Sequence, residues 1–492
     1  MAHNRTLKEL NFDNTYRQLP DTWYQLREPE PLKNVHLISF NPRVATLLDL
    51  DPCQIHPEDL VKYFSGMTPL PGAEPLAMKY TGHQFGHYNP DLGDGRGVLL
   101  GEVVNAKGQR WDLHLKGSGR TAFSRFGDGR AVLRSSIREY LVSEAMTGLG
   151  IPSTQALCLL GSEEYTRRIG MEPCALVVRV TPCHIRFGHF EYFYYSHRHE
   201  DLKRLADYCL DRFYPDLLSY ENPYLEMFKE ISNRTARLVA WWQSYGFVHG
   251  VLNTDNMSII GETFDYGPFT FLDYYEPDHI ANKNDDAGRY AFFRQPSVVL
   301  WNMACLAQAL LPLVEREALE AELAVFSERQ ACFELERKCA RLGLLKPKPD
   351  DTDLIAELWN LFKKDRVDIH RFFSDLVDIP LSELLNVTSI VSYFPTQASA
   401  FLQWLDKYYQ RAKLEAASPA IRRAQMRAVN PYYILRNYMA EEAIREAEQG
   451  DYRKVNALMP LLRCPTDLRP EMTSFTQAPP DWAAAICLTC SS

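Results

Sequence analysis

Two pairs of residues in this 492-residue chain have the types and spacing to handle phosphate. Lys116 ends the stretch "QRWDLHLK" and is followed by Gly117 and Gly119, so its ammonium can meet an anion without steric cover. Glu139 stands twenty-three residues on, and a carboxylate of that kind fixes the rotamer of a phosphate-directed lysine. Taken alone, a glutamate such as Glu139 is more often a solvated helix charge; the strand–glycine–helix order around it favours the pairing with Lys116. Asn256 and Asp265 offer oxygen ligands of the sort Mg²⁺ prefers when it bridges to phosphates. Two glycine turns bracket the lysine, Gly93, Gly95 and Gly97 with Arg96, and Gly127-Asp128-Gly129. Their amides can approach an anion closely, although tight hairpins use the same residues. Arg179 and Arg186, in "RVTPCHIRFG", carry planar donor forks suited to phosphate oxygens, or to an ordinary surface.

The stretch "HGVLNTDNMSIIGETFDYGPFTFLDYY", His249 to Tyr275, holds the metal candidates in a telling order. Protein kinases carry His-Arg-Asp, four residues, then Asn, and later Asp-Phe-Gly. Here Asn256 falls seven residues after His249, and Asp265-Tyr266-Gly267 follows, but the position of the kinase base is Val251. Valine cannot accept a proton. Asp255, beside Asn256, can take over as base from another angle, or serve as a loop acid. Three readings stay open from these residues: a nucleotidyl transferase, a γ-phosphotransferase using Asp255, and a nucleotide-binding scaffold without turnover.

These residues need elements to hold them. "DLGDGRGVLLGEVV" reads as a glycine turn and a strand, and "QRWDLHLK" alternates Trp111, Leu113 and Leu115 with polar residues, the pattern of a half-buried strand. "SSIREYLVSEAMTGLG" reads as a helix with serine caps and an apolar face at Ile137, Leu141 and Ala145, and "CALVVRVTP" as a strand. From about 200 to 470 the texture is helical. The expected class is therefore α+β: an N-terminal extension over residues 1–90, a small β-rich lobe over 91–190, a large mainly helical lobe over 191–480, and a tail over 481–492. The recurring "GDGR" (Gly93–Arg96, Gly127–Arg130) has unmatched flanks, so it is a reused turn and not a repeat.

At this length two or more packed lobes are expected, and 46% hydrophobic residues suffice to fill them. A net charge of −9 argues against a general binder of nucleic acid or anionic membrane. With no apolar leader in "MAHNRTLKELNFDNTY" and no run of about 20 apolar residues, the expectation is a cytoplasmic chain. Eleven scattered cysteines do not make a disulfide framework. Cys487 and Cys490 alone form a Cys-x-x-Cys; it lacks the second pair a zinc site needs and reads as a redox thiol pair or an inert tail.

Several long stretches go beyond these generic features: "YTGHQFGHYNPDLGDGRG", "LHLKGSGRTAFSRFGDGRAVLRSSIREYL", "HGVLNTDNMSIIGETFDYGPFTFLD", "NDDAGRYAFFRQP", "NPYYILRN" and "CLTCSS". In this order, across nearly the whole chain, they resemble the selenoprotein O family. The resemblance implies a protein-kinase-like two-lobed fold and a protein adenylyltransferase, moving AMP from ATP to Ser, Thr or Tyr hydroxyls of protein partners, with UTP the alternative donor. It implies ATP bound inverted, its γ-phosphate inward. Lys116 and Arg179 would hold the inward phosphates, with Glu139 orienting Lys116. Gly93, Gly95, Arg96, Asp128, Gly129 and Arg186 would line the nucleotide site, Asn256 and Asp265 would bind Mg²⁺ (or Mn²⁺), Asp265 also touching the nucleotide, and Asp255 would be the base. Some members end in Cys-x-x-selenocysteine, where this chain has Cys490. In some bacterial members the tail cysteine is expected to pair with one in the segment after the Asp-x-Gly motif. Here that segment, "HIANKNDD", has Ala281 and no cysteine, which leaves Cys487–Cys490 as the candidate pair.

Overall fold

The structure, a computed structural model, describes residues 5–168 and 170–489. One antiparallel sheet contains β1 (Tyr24–Leu26), β2 (His36–Phe40), β3 (Leu76–Gln84), β4 (His87–Gly93), β5 (Gly97–Val104), β6 (Arg110–Lys116), β7 (Ala131–Val132), β8 (Gln155–Arg167) and β9 (Met171–Thr181). Its main path runs β1-β3-β5-β6-β9-β8-β2, with β4 paired to β3 and β7 to β9. The stretch before residue 91 thus contributes strands to the sheet as well as packing on it.

The alternation read from "QRWDLHLK" sorts this sheet into two faces. Side chains directly opposite in an antiparallel pair share a face, and β6 and β9 pair with His114 opposite Arg179 and Leu115 opposite Val178. Leu113, Leu115, Val178 and Val180 therefore point one way, into a core completed by Leu7, Leu10, Val44, Leu48, Leu60 and Phe64 of the N-terminal segment. His114, Lys116 and Arg179 point the other way, toward the helices.

The helix Leu133–Gly148 begins two residues before the predicted serines, and no side chain caps it. Ser135 Oγ instead donates back to Val132 O at 3.1 Å, and Ser136 is buried. The reason is that β7 runs straight into the helix, so sheet pairing holds its first turn. Ile137, Leu141 and Ala145 are buried as expected.

The second half is mainly helical. The helix Pro223–Tyr245 starts on Asn222, whose side chain accepts from Leu225 N, and ends at Gly246 in the left-handed conformation, a start and a stop that the sequence encodes directly. Gly246 delivers the chain into a short hairpin, β10 (Phe247–Val248) with β11 (Thr270–Phe271), which brackets the His249–Phe269 loop. Four further helices, Asp351–Asp365, Ile369–Asp378, Ala398–Ala412 and Pro419–Val429, share their own core. Arg436 of "NPYYILRN" ties that unit to the hairpin: its buried guanidinium meets Asp368 at 2.7 Å and the Asp273 carbonyl at 3.0 Å. The α+β class, with a sheet-rich first part and a helical second part, is as expected.

Candidate active site

Lys116 closes β6 and lies 3% exposed. Its ammonium donates to Glu139, which projects from the helix Leu133–Gly148 and is equally buried. Arg179 on β9 reaches the same carboxylate through Nε and through Nη2 at 3.1 Å, and its Nη1 donates to Asp265 Oδ1 at 2.8 Å. Arg186, just past β9, donates to the other Asp265 oxygen and to the Asp255 carbonyl at 3.0 Å. Lys116, Glu139, Arg179, Arg186, Asp265 and Asp255 are thus one connected network spanning sheet, helix and loop.

Local structure explains each placement. Asp265 adopts φ +55, a left-handed conformation that aspartate tolerates better than most residues; the turn faces its carboxylate to both arginines. The loop is held from below by the helix Gln295–Leu310. His249 N donates to Gln295 Oε1 at 2.9 Å, and Asn302 Nδ2 donates to Leu252 O at 3.0 Å. His249 itself is buried, its Nε2 3.1 Å from the Phe264 carbonyl, so it braces the Asp265 turn and burial keeps it neutral.

The electrostatics favour an anionic guest. Burial pushes Lys116 down to about 8, helped by Arg179 and Arg96 and opposed by Glu139. Burial alone would raise Glu139, but Arg179 and Lys116 hold it at about 2. Burial likewise works against Asp265, yet Arg186, Arg179 and Lys116 keep it well below the usual carboxylate range. Both directions report the same positive potential. Arg96, pulled down by burial and by Arg179, feels Asp265 and Glu139 as well and belongs to the same field. Four cations face three ionised carboxylates, Glu139, Asp265 and Asp94 beside Arg186, and a polyphosphate would neutralise the positive charge that remains. Asp255 differs: burial raises it to about 7 despite Arg186, the range in which a general base works.

Asn256 and Asp265 fit a hard cation. Asn256 Oδ1 and Asp255 Oδ1 are buried without a hydrogen-bond partner among the described residues, and Asp265 adds a carboxylate. Buried oxygens left unpaired are costly, and an oxygen-seeking ion such as Mg²⁺ would satisfy them.

The glycine turns sit at the rim and use their freedom on each other. A Cβ on Gly93 would overlap the Phe123 ring, and one on Gly95 would come 2.8 Å from Phe123 O. Gly129, at φ +72, lies against Gly119, whose N–H donates to Gly129 O at 3.1 Å. Asp128 is engaged away from Lys116: Arg168 grips both carboxylate oxygens at 2.9 Å, with Thr166 on one of them. Val251 is half-buried and contributes no polar group. Cys487 is exposed and free on the tail, where the neighbouring Leu488 carbonyl accepts from Lys283 N at 2.9 Å. Cys490 lies outside the described residues.

Sequence reasoning passed over the floor of the site. The Arg186 guanidinium lies over the rings of Tyr80 at 4.3 Å and Phe264 at 4.7 Å. Gln84 Nε2 approaches Asp255 Oδ2 at 3.4 Å, and a Cβ on Gly82 would come 2.9 Å from Asp255 Oδ1. The signal was present in "YTGHQFGHYNP", where Gly82 interrupts a strand, a mark of close backbone approach.

The family model described as protein adenylyltransferase SelO matches residues 6–463. A protein nucleotidyltransferase YdiU of Hahella chejuensis is 56% identical over 489 residues, 99% of each chain. Proteins of the same description from Azotobacter vinelandii and Myxococcus xanthus are 47% and 45% identical, each over 99% of this chain and 100% of their own.

Proposed function

The chain belongs to the protein adenylyltransferase SelO family and is a nucleotidyltransferase, and we propose that it moves AMP from ATP to Ser, Thr or Tyr hydroxyls of proteins, releasing pyrophosphate. The observation that carries this reading is the pairing of a deep cationic end with an unpaired carboxylate at the loop. Lys116 and Arg179 lie at the buried end, where the β- and γ-phosphates of an inverted nucleotide would sit. Asp255, not residue 251, is then the carboxylate beside the α-phosphate.

In this reading Asp255 accepts the proton of the attacking hydroxyl as its oxygen bonds to the α-phosphorus. The bond from the α-phosphorus to the bridging oxygen breaks, and pyrophosphate leaves with that electron pair. Lys116, Arg179 and Arg186 balance the charge that builds on the leaving group, in a dry site where such contacts count most. Glu139 fixes Lys116 and Arg179, and Arg186 holds the Asp255 carbonyl so that the loop stays in register. A divalent ion held by Asn256 and Asp265 would supply further charge neutralisation at the phosphates.

Incubation with Mg²⁺ and ATP labelled at the α- or the γ-phosphate tests this directly. α-Label retained on protein with release of pyrophosphate is expected. γ-Label on protein would overturn the reading in favour of phosphotransfer, and no label from either would favour a non-catalytic scaffold. A parallel arm with α-labelled UTP separates uridylyl from adenylyl transfer.

A further inference from the structure

His83, Glu191 and Cys305 converge outside the phosphate network, and we propose that they bind one thiophilic divalent cation of the zinc class. One ring nitrogen, one carboxylate oxygen and one sulfur lie within 4.8 Å of one another. Each comes from a different regular element: His83 from β3, Glu191 from the helix Phe187–Tyr195, Cys305 from the helix Gln295–Leu310. Ligands on strands and helices keep their spacing better than ligands on loops. A nitrogen, sulfur and oxygen set suits Zn²⁺, whereas Mg²⁺ and Ca²⁺ take oxygen. The site is therefore chemically distinct from the Asn256–Asp265 pair.

The surroundings pre-position it. Trp301, one helical turn before Cys305, meets the His83 ring edge-on at 5.2 Å. Tyr88 and Tyr195 flank the same ring at 5.3 and 5.8 Å. Glu191 is fully buried while Cys305 is half-buried, which leaves one side open to an ion and to a water as fourth ligand. Burial and the Glu191 carboxylate push the Cys305 thiol up to about 12, with Arg289, whose guanidinium lies over Trp301 at 4.7 Å, working weakly the other way, so the thiol keeps its proton until a cation displaces it.

In the metal-free protein His83 Nδ1 lies 2.6 Å from Glu191 Oε1, and Thr254 Oγ1 donates to Glu191 Oε2 at 2.5 Å. Binding exchanges the first contact for metal bonds. The imidazole proton that Nδ1 donates to Glu191 is exchanged through solvent onto Nε2, the Cys305 thiol releases its proton to solvent, and the three ligand atoms settle at about 2.0–2.3 Å from the ion. Thr254 also accepts from His83 N at 2.7 Å and immediately precedes Asp255. An ion that draws on Glu191 thereby acts on the loop carrying the proposed base. That consequence rests on the adenylyl-transfer reading; the site itself does not, because its test reads absorbance.

Co²⁺ added to the metal-free, full-length protein without nucleotide is expected to give visible ligand-field bands and a near-ultraviolet thiolate band, saturating at one equivalent and displaced by Zn²⁺. Cys305→Ser should abolish the near-ultraviolet band with circular dichroism unchanged, and His83→Ala should weaken Co²⁺ binding by about tenfold or more. A native protein without the thiolate band overturns the proposal. So does a band that survives in Cys305→Ser, which would place the thiolate at an exposed cysteine such as Cys53, Cys332 or Cys487. Should Cys305→Ser fail to fold, the protein with those three exposed cysteines changed to serine must keep the band, and its loss is equally fatal.

Discussion

The two faces of β6 and β9 obey different rules although their residues alternate along the same strands. On one face Leu113, Leu115, Val178 and Val180 meet the N-terminal segment in an apolar core. There shape and volume matter, and a hydrophobic exchange of similar size is tolerated. On the other face Lys116 and Arg179 share Glu139, and Arg179 continues to Asp265. There charge and donor geometry matter, and size alone preserves nothing. A single step in register separates scaffold from chemistry, so substitutions on the two faces should fail in different assays.

The largest effect is expected on the polar face. Asp265→Asn keeps a residue that tolerates positive φ but removes the charge both arginines grip and an oxygen proposed to hold the metal. AMP transfer in the α-label assay should fall about 1000-fold or more while the protein stays folded. Near-normal transfer would dissolve the site. On the apolar face, Leu115→Ala should cost about 2–5 kcal/mol in chemical denaturation, because it opens a cavity in a fully buried core. Transfer per folded molecule should stay within about threefold of native. A selective loss of transfer would mean that the two faces are not independent. Lys116→Met keeps the stem and removes the ammonium. Glu139 retains Arg179, so stability should change little, and transfer should drop about 100-fold, equivalent to about 2.7 kcal/mol.

Much of this contrast was legible in the sequence. Period-two alternation ending in Lys116 fixed the strand, its faces and the direction of the lysine, because that periodicity follows from the pleat itself. Asn256 and Asp265 were readable as candidate ligands because ligation of a hard cation restricts residue type, and the fold brings Asp265 onto Arg179 and Arg186. What escaped was anything set by distant pairing. The strand Leu76–Gln84, which brings Gly82 and Gln84 against Asp255, looks locally like a proline-punctuated extension. The serines of "SSIREYL" looked like caps because local propensity cannot see that β7 holds the helix start. Glu191, fully buried and 0% exposed, is indistinguishable in sequence from any solvated glutamate until Thr254 and His83 are folded onto it.

Asp128 is the place where comparing regions yields the smallest effect and the sharpest distinction. Its carboxylate was expected to line the nucleotide site, yet Arg168 and Thr166 occupy it, and the Arg130 amide donates to it at 2.9 Å. Burial opposes its ionisation, but these hydrogen bonds hold it well below the usual carboxylate range. The pair is partly solvated, with the Asp128 side chain 33% exposed, so its contribution to stability is modest, below about 1 kcal/mol. Through these contacts Asp128 tethers the loop Gly117–Arg130 to the end of β8, and a role confined to that tether gives a specific expectation. Asp128→Asn should raise the KM for ATP about threefold and leave kcat nearly unchanged. Arg168→Gln breaks the same tether from the other side and should reproduce that pattern. If Asp128→Asn instead costs about 100-fold in kcat while Arg168→Gln does not, the carboxylate leaves Arg168 for the nucleotide during turnover, and the rim belongs to the chemistry rather than to its frame.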